Sequence, residues 1–282
     1  MPDPKRYGEV FDEFAETYDA RRSGYPRELV EQALVLARLA PGSRVVEVGP
    51  GTGKLTEELV ACGLRIDAVE PGRKLIEVAR RRVGESDLVR FHLGRFEEVP
   101  LPAESFAALF SATAFHWIDP TVGWRKAAGL LERDGTIALL APISVRDETD
   151  GPAADELAAA FRRLIPDLAA ERPEARDLVT ICAGAEKRRA NVSELWAWLA
   201  HPGLAIPEAA TLFGPARLTS VPRVVEQTAA ELWGLFETTS RYHRLDATVR
   251  AELQAETERI INRHGGRMRS TQLVTLVTAQ RR

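Results

Sequence analysis

The chain has 282 residues, 45% of them hydrophobic and 28% charged, with a formal charge of −3. That length holds one large α/β domain with room for an insertion, and the slightly acidic balance excludes a basic footprint for nucleic acid. Cys62 and Cys182 have no CxxC or Cys/His companion for a zinc site, the N-terminus "MPDPKRYGEV" lacks a signal-peptide core, and no apolar run reaches spanning length, so we expect a soluble, cytoplasmic protein with no membrane, nucleic-acid or metal partner.

In chain order, residues 10–22 place Phe11, Phe14 and Tyr18 at helical spacing. "YPRELVEQALVLARLA" predicts a second helix, with Pro26 in its first turn and Pro41-Gly42 after its end. Strands are predicted at 44–48, 65–69, 88–93, 106–111 and 135–141, with helices at 53–61, 72–82 and 120–131 between them. Short strands alternating with helices imply a parallel sheet covered on both faces. The alternation stops after Ala141. Residues 144–205, rich in charges of both signs, read as a mostly helical insertion, a candidate lid. Regular structure resumes with a strand at 216–226, helices at 228–240 and 246–263, and a final alternating strand at 270–280.

One motif carries chemistry. "VVEVGPGTG" runs from an apolar strand into a turn in which Gly49, Gly51 and Gly53 alternate with Pro50 and Thr52. Glycine lets bare backbone approach a ligand and tolerates positive φ, and strand–turn–helix is the architecture that holds a nucleotide at the carboxyl end of a sheet. A P-loop needs GxxxxGK[ST], and here Leu55 follows Lys54. The dinucleotide fingerprint GxGxxG needs a third glycine where Lys54 stands. What remains is GxGxG preceded by Glu47, with Glu70 closing the next strand.

That combination, E/D-x-G-x-G-x-G followed by a strand-end acid, resembles motif I of the class I S-adenosylmethionine-dependent methyltransferases. "FHLGRFEEVPLPAESFAALFS" resembles the family's adenine-side segment, although Arg95 and Ala107 replace acids usual there. "FAETYDARRSGYP", "SATAFHWIDP" and "FETTSRYHRL" resemble the type-11, trans-aconitate methyltransferase-like branch. The resemblance implies a Rossmann-like, seven-stranded, mostly parallel sheet whose last strand inserts antiparallel, with helices on both faces and a helical cap. Its divisions would be a cap over 1–40, a cofactor-binding core over 41–142, a lid over 143–205, and the rest of the sheet over 206–282. S-adenosylmethionine is the implied cofactor, and methyl transfer by in-line displacement to a small molecule, with S-adenosylhomocysteine as product, is the implied activity.

For the cofactor we expect Glu47, Gly49, Pro50, Gly51, Thr52, Gly53, Glu70 and Pro71. To these we add Phe96 and Glu97 at adenine, Ser111 and Ala112 at the end of a strand, and Tyr18 and Arg21 from the N-terminal helix, Arg21 toward the cofactor carboxylate. His116, between Phe115 and Trp117 at the carboxyl edge of the sheet, is the candidate base. Tyr25, Phe115, Trp117, Tyr242 and His243 are the candidate acceptor contacts, and Arg21, Arg241 and Arg244 are cations available to an acceptor carboxylate. His201 reads as a bend, and the tryptophans at 196, 198 and 233 as packing. Two rival readings stand beside this one: a member that binds the cofactor without transferring methyl groups, and an NAD-dependent oxidoreductase.

Overall fold

A computed structural model describes residues 9–147, 151–171 and 174–282. The first eight residues of the expected cap, and residues 148–150 and 172–173 of the expected lid, lie outside the described residues.

Seven strands form one sheet in the order β3-β2-β1-β4-β5-β7-β6. They are β1 (Arg44–Val48), β2 (Arg65–Glu70), β3 (Val89–Leu93), β4 (Phe106–Ala112), β5 (Leu131–Val145), β6 (Arg217–Gln227) and β7 (Met268–Gln280). The first five pair parallel, and β7 runs antiparallel to both β5 and β6. β1 is buried from Val45 to Val48, because helices cover both faces and leave no side for water. Strand order reverses between β1 and β4, the point at which such sheets open a crevice at their carboxyl ends.

On one face α2 (Arg27–Leu36) and α3 (Lys54–Ala61) bring Leu29, Leu55 and Leu59 against Val45, Ile66 and Phe110. On the other, α5 (Pro120–Leu130) packs Trp124 against Phe106 and Ile137. Asp119 starts α5 by accepting from the Thr121 amide at 3.0 Å, and Pro120 occupies its first turn, as expected of a capped start. Beside α3, α4 (Arg73–Val83) packs Leu75 and Val78 against Ala15 of α1 (Ala15–Arg21).

The segment after β5 divides between two places. In it, α6 (Pro152–Leu164) and α7 (Pro166–Ala170) are followed by α8 (Leu178–Arg188) and α9 (Val192–Ala200). The last two join the core of the sheet itself, with Ile181, Leu195 and Trp196 in one cluster with Leu139 and Val277. After the short α10 (Ala209–Leu212), α11 (Ala229–Glu237), α12 (Ser240–His243) and α13 (Ala247–Arg263) cross the chain. α6 packs on α13 through Leu157, Ala160 and Ile260, and α7 meets α11 through Leu168, Trp233 and Phe236. So two helices of the insertion complete a sheet face, and two join the C-terminal helices in a separate layer.

Boundaries differ from the sequence reading where side chains intervene. The single helix expected over 228–240 breaks after Glu237, because Thr239 receives the Tyr242 amide at 3.3 Å and starts α12 afresh. The first half of the helix expected over 10–22 is a 3₁₀ turn, Glu9–Phe14. β5 extends well beyond 135–141, drawn out by its pairing with β7 from Thr136 to Val145.

Candidate functional site

The glycine turn leaves the end of β1 with all three glycines left-handed, at φ of 68°, 57° and 83° for Gly49, Gly51 and Gly53. Two of them sit against neighbouring structure. A Cβ on Gly49 would lie 2.3 Å from the Cβ of Ala114, and one on Gly53 would lie 3.0 Å from Ala79 of α4. Gly51 differs: a Cβ there would meet nothing within 4 Å. The bare backbone therefore faces open space at Gly51, in the cradle form that suits close approach of a ligand. Inside the turn, the Gly53 amide donates to the Pro50 carbonyl at 2.9 Å, and Thr52 is buried.

Glu70, at the end of β2, binds this turn. Its Oε2 accepts from the Gly51 amide and its Oε1 from the Gly72 amide, each at 3.0 Å. Burial pushes its pKa up to about 7, while those two amides pull it down. Each oxygen keeps a second lone pair, so the carboxylate can take further donors without releasing the loop. Pro71, next in sequence, is exposed. Glu47 is buried under the turn and accepts from Thr56 Oγ1 of α3 at 2.7 Å; burial raises its pKa to about 8. It ties β1 to α3. Ser111 donates to the Val48 carbonyl at 2.8 Å and braces β4 on β1, and Ala112 follows it at the strand end. The residues thus suit an adenosine ligand without phosphate: one open glycine, one acid beside it, and no free lysine, because Lys54 pairs with Asp19 at 3.1 Å.

The N-terminal segment lies across this turn. Asp12 caps α4 by accepting from the Lys74 and Leu75 amides at 2.6 and 3.0 Å. Both carboxylate oxygens of Asp19 accept from Arg82 Nη2, at 2.7 and 2.8 Å, and Arg82 Nε donates to the Thr52 carbonyl at 3.0 Å. Burial opposes the charge on Asp19, but its bonds to Arg82, Thr52 and Lys54 outweigh it and hold the pKa below the usual carboxylate range. Tyr18 presents its ring to Phe11 at 5.6 Å and to the Arg22 guanidinium at 5.4 Å. Arg21 turns away: a Cβ on Gly234 of α11 would come 2.7 Å from its Cζ. The neighbouring cation, Arg22, faces the site instead, donating through Nε to Thr238 Oγ1 at 2.9 Å. Tyr25 Oη meets Thr113 Oγ1 at 3.3 Å at the end of β4, and burial raises its pKa.

His116 lies in a 3₁₀ turn, Phe115–Trp117, two residues after Ala114, which sits against Gly49. Burial, then His201, then Arg22 hold its pKa well below 6.5, so the ring is neutral. Trp117 packs on it at 4.7 Å and meets Phe11 at 5.9 Å. The remaining expected residues disperse. Phe115 points into the core against Trp124 at 4.9 Å, and Phe96 is buried in the same cluster. Glu97 accepts from the Asp119 amide at 3.1 Å. Tyr242 packs with Trp233 and Phe236, under the Arg250 guanidinium at 4.4 Å. His243 stacks on Phe14 at 4.5 Å, and Arg244 pairs with Glu171 at 2.6 Å. Asp19, Arg22, Thr113 and His201 belong to the site's surroundings, yet the sequence reading assigns none of them. Thr113, the residue after β4, is held in the left-handed region at φ 55°. Among the described residues no helix is long and apolar enough to cross a membrane.

Comparisons with known proteins bear on this geometry. Residues 46–139 match the family model described as a methyltransferase domain. An uncharacterized methyltransferase of Mycobacterium tuberculosis is 35% identical over 134 residues, 48% of this chain and 51% of that protein. One from Geobacillus sp. is 33% identical over 113 residues, 38% of this chain and 52% of that one. The chain thus spans about half the length of these curated relatives. Among solved structures, a candidate type II methyltransferase from Anaeromyxobacter dehalogenans superposes with a TM-score of 0.56 at 21% identity, over 92% of this chain and 97% of that one. A candidate methyltransferase from an antibiotic biosynthesis pathway of Anabaena variabilis gives 0.54 at 18% identity, over 89% and 96%. At that identity these structures speak to the fold alone.

Proposed function

We propose that the chain, whose residues 46–139 match the methyltransferase-domain model, transfers a methyl group from S-adenosylmethionine to a small-molecule acceptor. The observation that carries this reading is Glu70 meeting the one open glycine of the turn, Gly51, at 3.0 Å. When bound, the cofactor supplies a sulfonium-activated methyl group. The Gly49–Gly53 backbone would cradle it, Glu70 would accept from its ribose hydroxyls, and Arg22, in place of Arg21, would meet its carboxylate. Tyr18 would offer the cationic sulfur an aromatic face. His116, neutral because it is buried, receives the acceptor's proton at a ring nitrogen. Residues 41–142 act as the cofactor core in this reading, with the N-terminal segment and part of 143–205 excluding water above it.

Thermal unfolding with S-adenosylmethionine, S-adenosylhomocysteine and NADH in parallel tests the proposal. At about a hundred times its Kd a ligand adds roughly 2.7 kcal/mol, a rise on the order of 5 °C at this length. Stabilisation by the two sulfur ligands and not by NADH supports the reading, and formation of S-adenosylhomocysteine with an acceptor panel separates a transferase from a silent binder. A shift with NADH alone revives the oxidoreductase.

A further inference from the structure

Two imidazoles and an indole meet where the Phe115–Trp117 turn touches the end of α9. The rings of His116 and His201 stack with centroids 3.9 Å apart and planes 12° from parallel, and the Trp196 ring lies 5.3 Å from His201. Among the described residues five buried side-chain polar atoms have no hydrogen-bond partner, and three of them are in this cluster: His116 Nδ1, His201 Nε2 and Trp196 Nε1. Buried polar atoms are nearly always partnered, because a lone one has lost its water and gained nothing in return. Three orphans side by side, on two elements distant in sequence, mark a place built for a polar group that the protein does not itself supply.

The chemistry of the three atoms selects that group. Indole Nε1–H only donates, while a neutral imidazole offers one donor and one lone pair. The missing partner must accept from the indole and also pair with imidazole nitrogens, each of which donates or accepts according to its tautomer. An ammonium cannot accept from Trp196, and a carboxylate would bring a full charge into a buried cluster of neutral rings. A hydroxyl has two lone pairs and one proton and meets both demands. The surroundings agree: Trp117 and Phe11 continue the cluster as an apolar wall. Arg22 is the charged group whose field reaches His116, and it favours negative charge developing on an oxygen there. The Gly49–Ala114 contact sets this turn directly against the glycine turn.

We propose that His116, His201 and Trp196 form a hydroxyl-binding subsite for the methyl acceptor, which is then a neutral alcohol or phenol presenting oxygen on an apolar skeleton. This rests on the methyl-transfer reading. It gives His201 and Trp196 a binding role that their places in the sequence do not suggest.

The test uses the full chain labelled with 15N, saturated with S-adenosylhomocysteine so that no turnover occurs, and titrated with phenol, benzoate and benzylamine. The ring-nitrogen signals of both histidines and the indole signal of Trp196 are followed. Phenol is expected to shift all three saturably and to bind about tenfold more tightly than either other probe, the ratio one good hydrogen bond supplies. Trp196→Phe, which removes the donor and keeps a ring, is expected to weaken phenol by about the same factor and to leave the affinity for S-adenosylhomocysteine unchanged. Equal or tighter binding of benzoate or benzylamine overturns the proposal. So do rings insensitive to every probe, as when a sealed water partners them. The wild-type selectivity holds whether or not the variant folds. If S-adenosylhomocysteine itself does not bind, the methyl-transfer reading fails first and this proposal with it.

Discussion

Glu70 should make cofactor binding depend on pH near neutrality. In the free protein burial raises its pKa to about 7 against the pull of the Gly51 and Gly72 amides. Ribose hydroxyls donate, and donors favour the ionised carboxylate, so the ligand binds the deprotonated form and expels a proton wherever Glu70 holds one. With a free-state pKa of about 7, the ionised fraction grows about tenfold between pH 6 and pH 8, and the Kd for S-adenosylhomocysteine should tighten by the same factor. Isothermal titration calorimetry in buffers of different ionisation enthalpy reads this directly. Close to one proton should be released per ligand at pH 6 and about a tenth of one at pH 8. Glu70→Gln should abolish the release and bind about 10- to 100-fold more weakly at pH 8, through loss of hydrogen bonds to a charged acceptor. A wild-type Kd flat from pH 6 to 8, or the same slope in Glu70→Gln, refutes the assignment of Glu70 to the ribose.

Further outcomes follow from other contacts. Gly49→Ala places a methyl 2.3 Å from the Ala114 Cβ in a left-handed residue, so urea denaturation should show a loss of about 2–4 kcal/mol, with ligand binding lost as well. Asp19→Asn breaks the tie between α1 and the glycine turn through Arg82 and Lys54. Stopped-flow displacement should then show cofactor dissociation about threefold or more faster, an effect of order 1 kcal/mol for a partly exposed pair, and high salt should imitate it in the wild type. Without ligand, Glu47 and Glu70 titrate near 8 and 7 when folded, against 4.5 for an ordinary glutamate. Between those limits the folded state holds more protons than the unfolded state, so stability should fall as pH rises from about 5 to 8. Chemical denaturation across that range should show the slope, and Glu47→Gln should reduce it.

Much of the fold is legible because it rests on local patterns. The continuous apolar run of β1 and the glycine turn after it depend on neighbours along the chain, so β1 to β4 and the helices between them emerge within a residue or two, whereas β5 runs longer at both ends and α2 stops at Leu36, short of Pro41-Gly42. Glu47, Gly49, Gly51, Gly53 and Glu70 converge for the same reason, since two adjacent parallel strands bring their carboxyl ends to one place. The antiparallel last strand came through the resemblance, which periodicity alone does not contain.

The rest was decided only by tertiary structure. Arg21 and Arg22 are indistinguishable as letters, but the turn at the end of α1 sends one to Gly234 and the other to Thr238 and Tyr18. Tyr242 and Phe115 look like site aromatics in sequence and are drawn instead into apolar clusters. His201 stands eighty-five residues from His116, and the two rings meet because Ile181, Leu195 and Trp196 dock α8 and α9 on the sheet in one cluster with Leu139 and Val277. Backbone geometry is written in nearest neighbours; the direction of a long side chain, and the docking of an insertion, are settled by which distant surface buries the most apolar area.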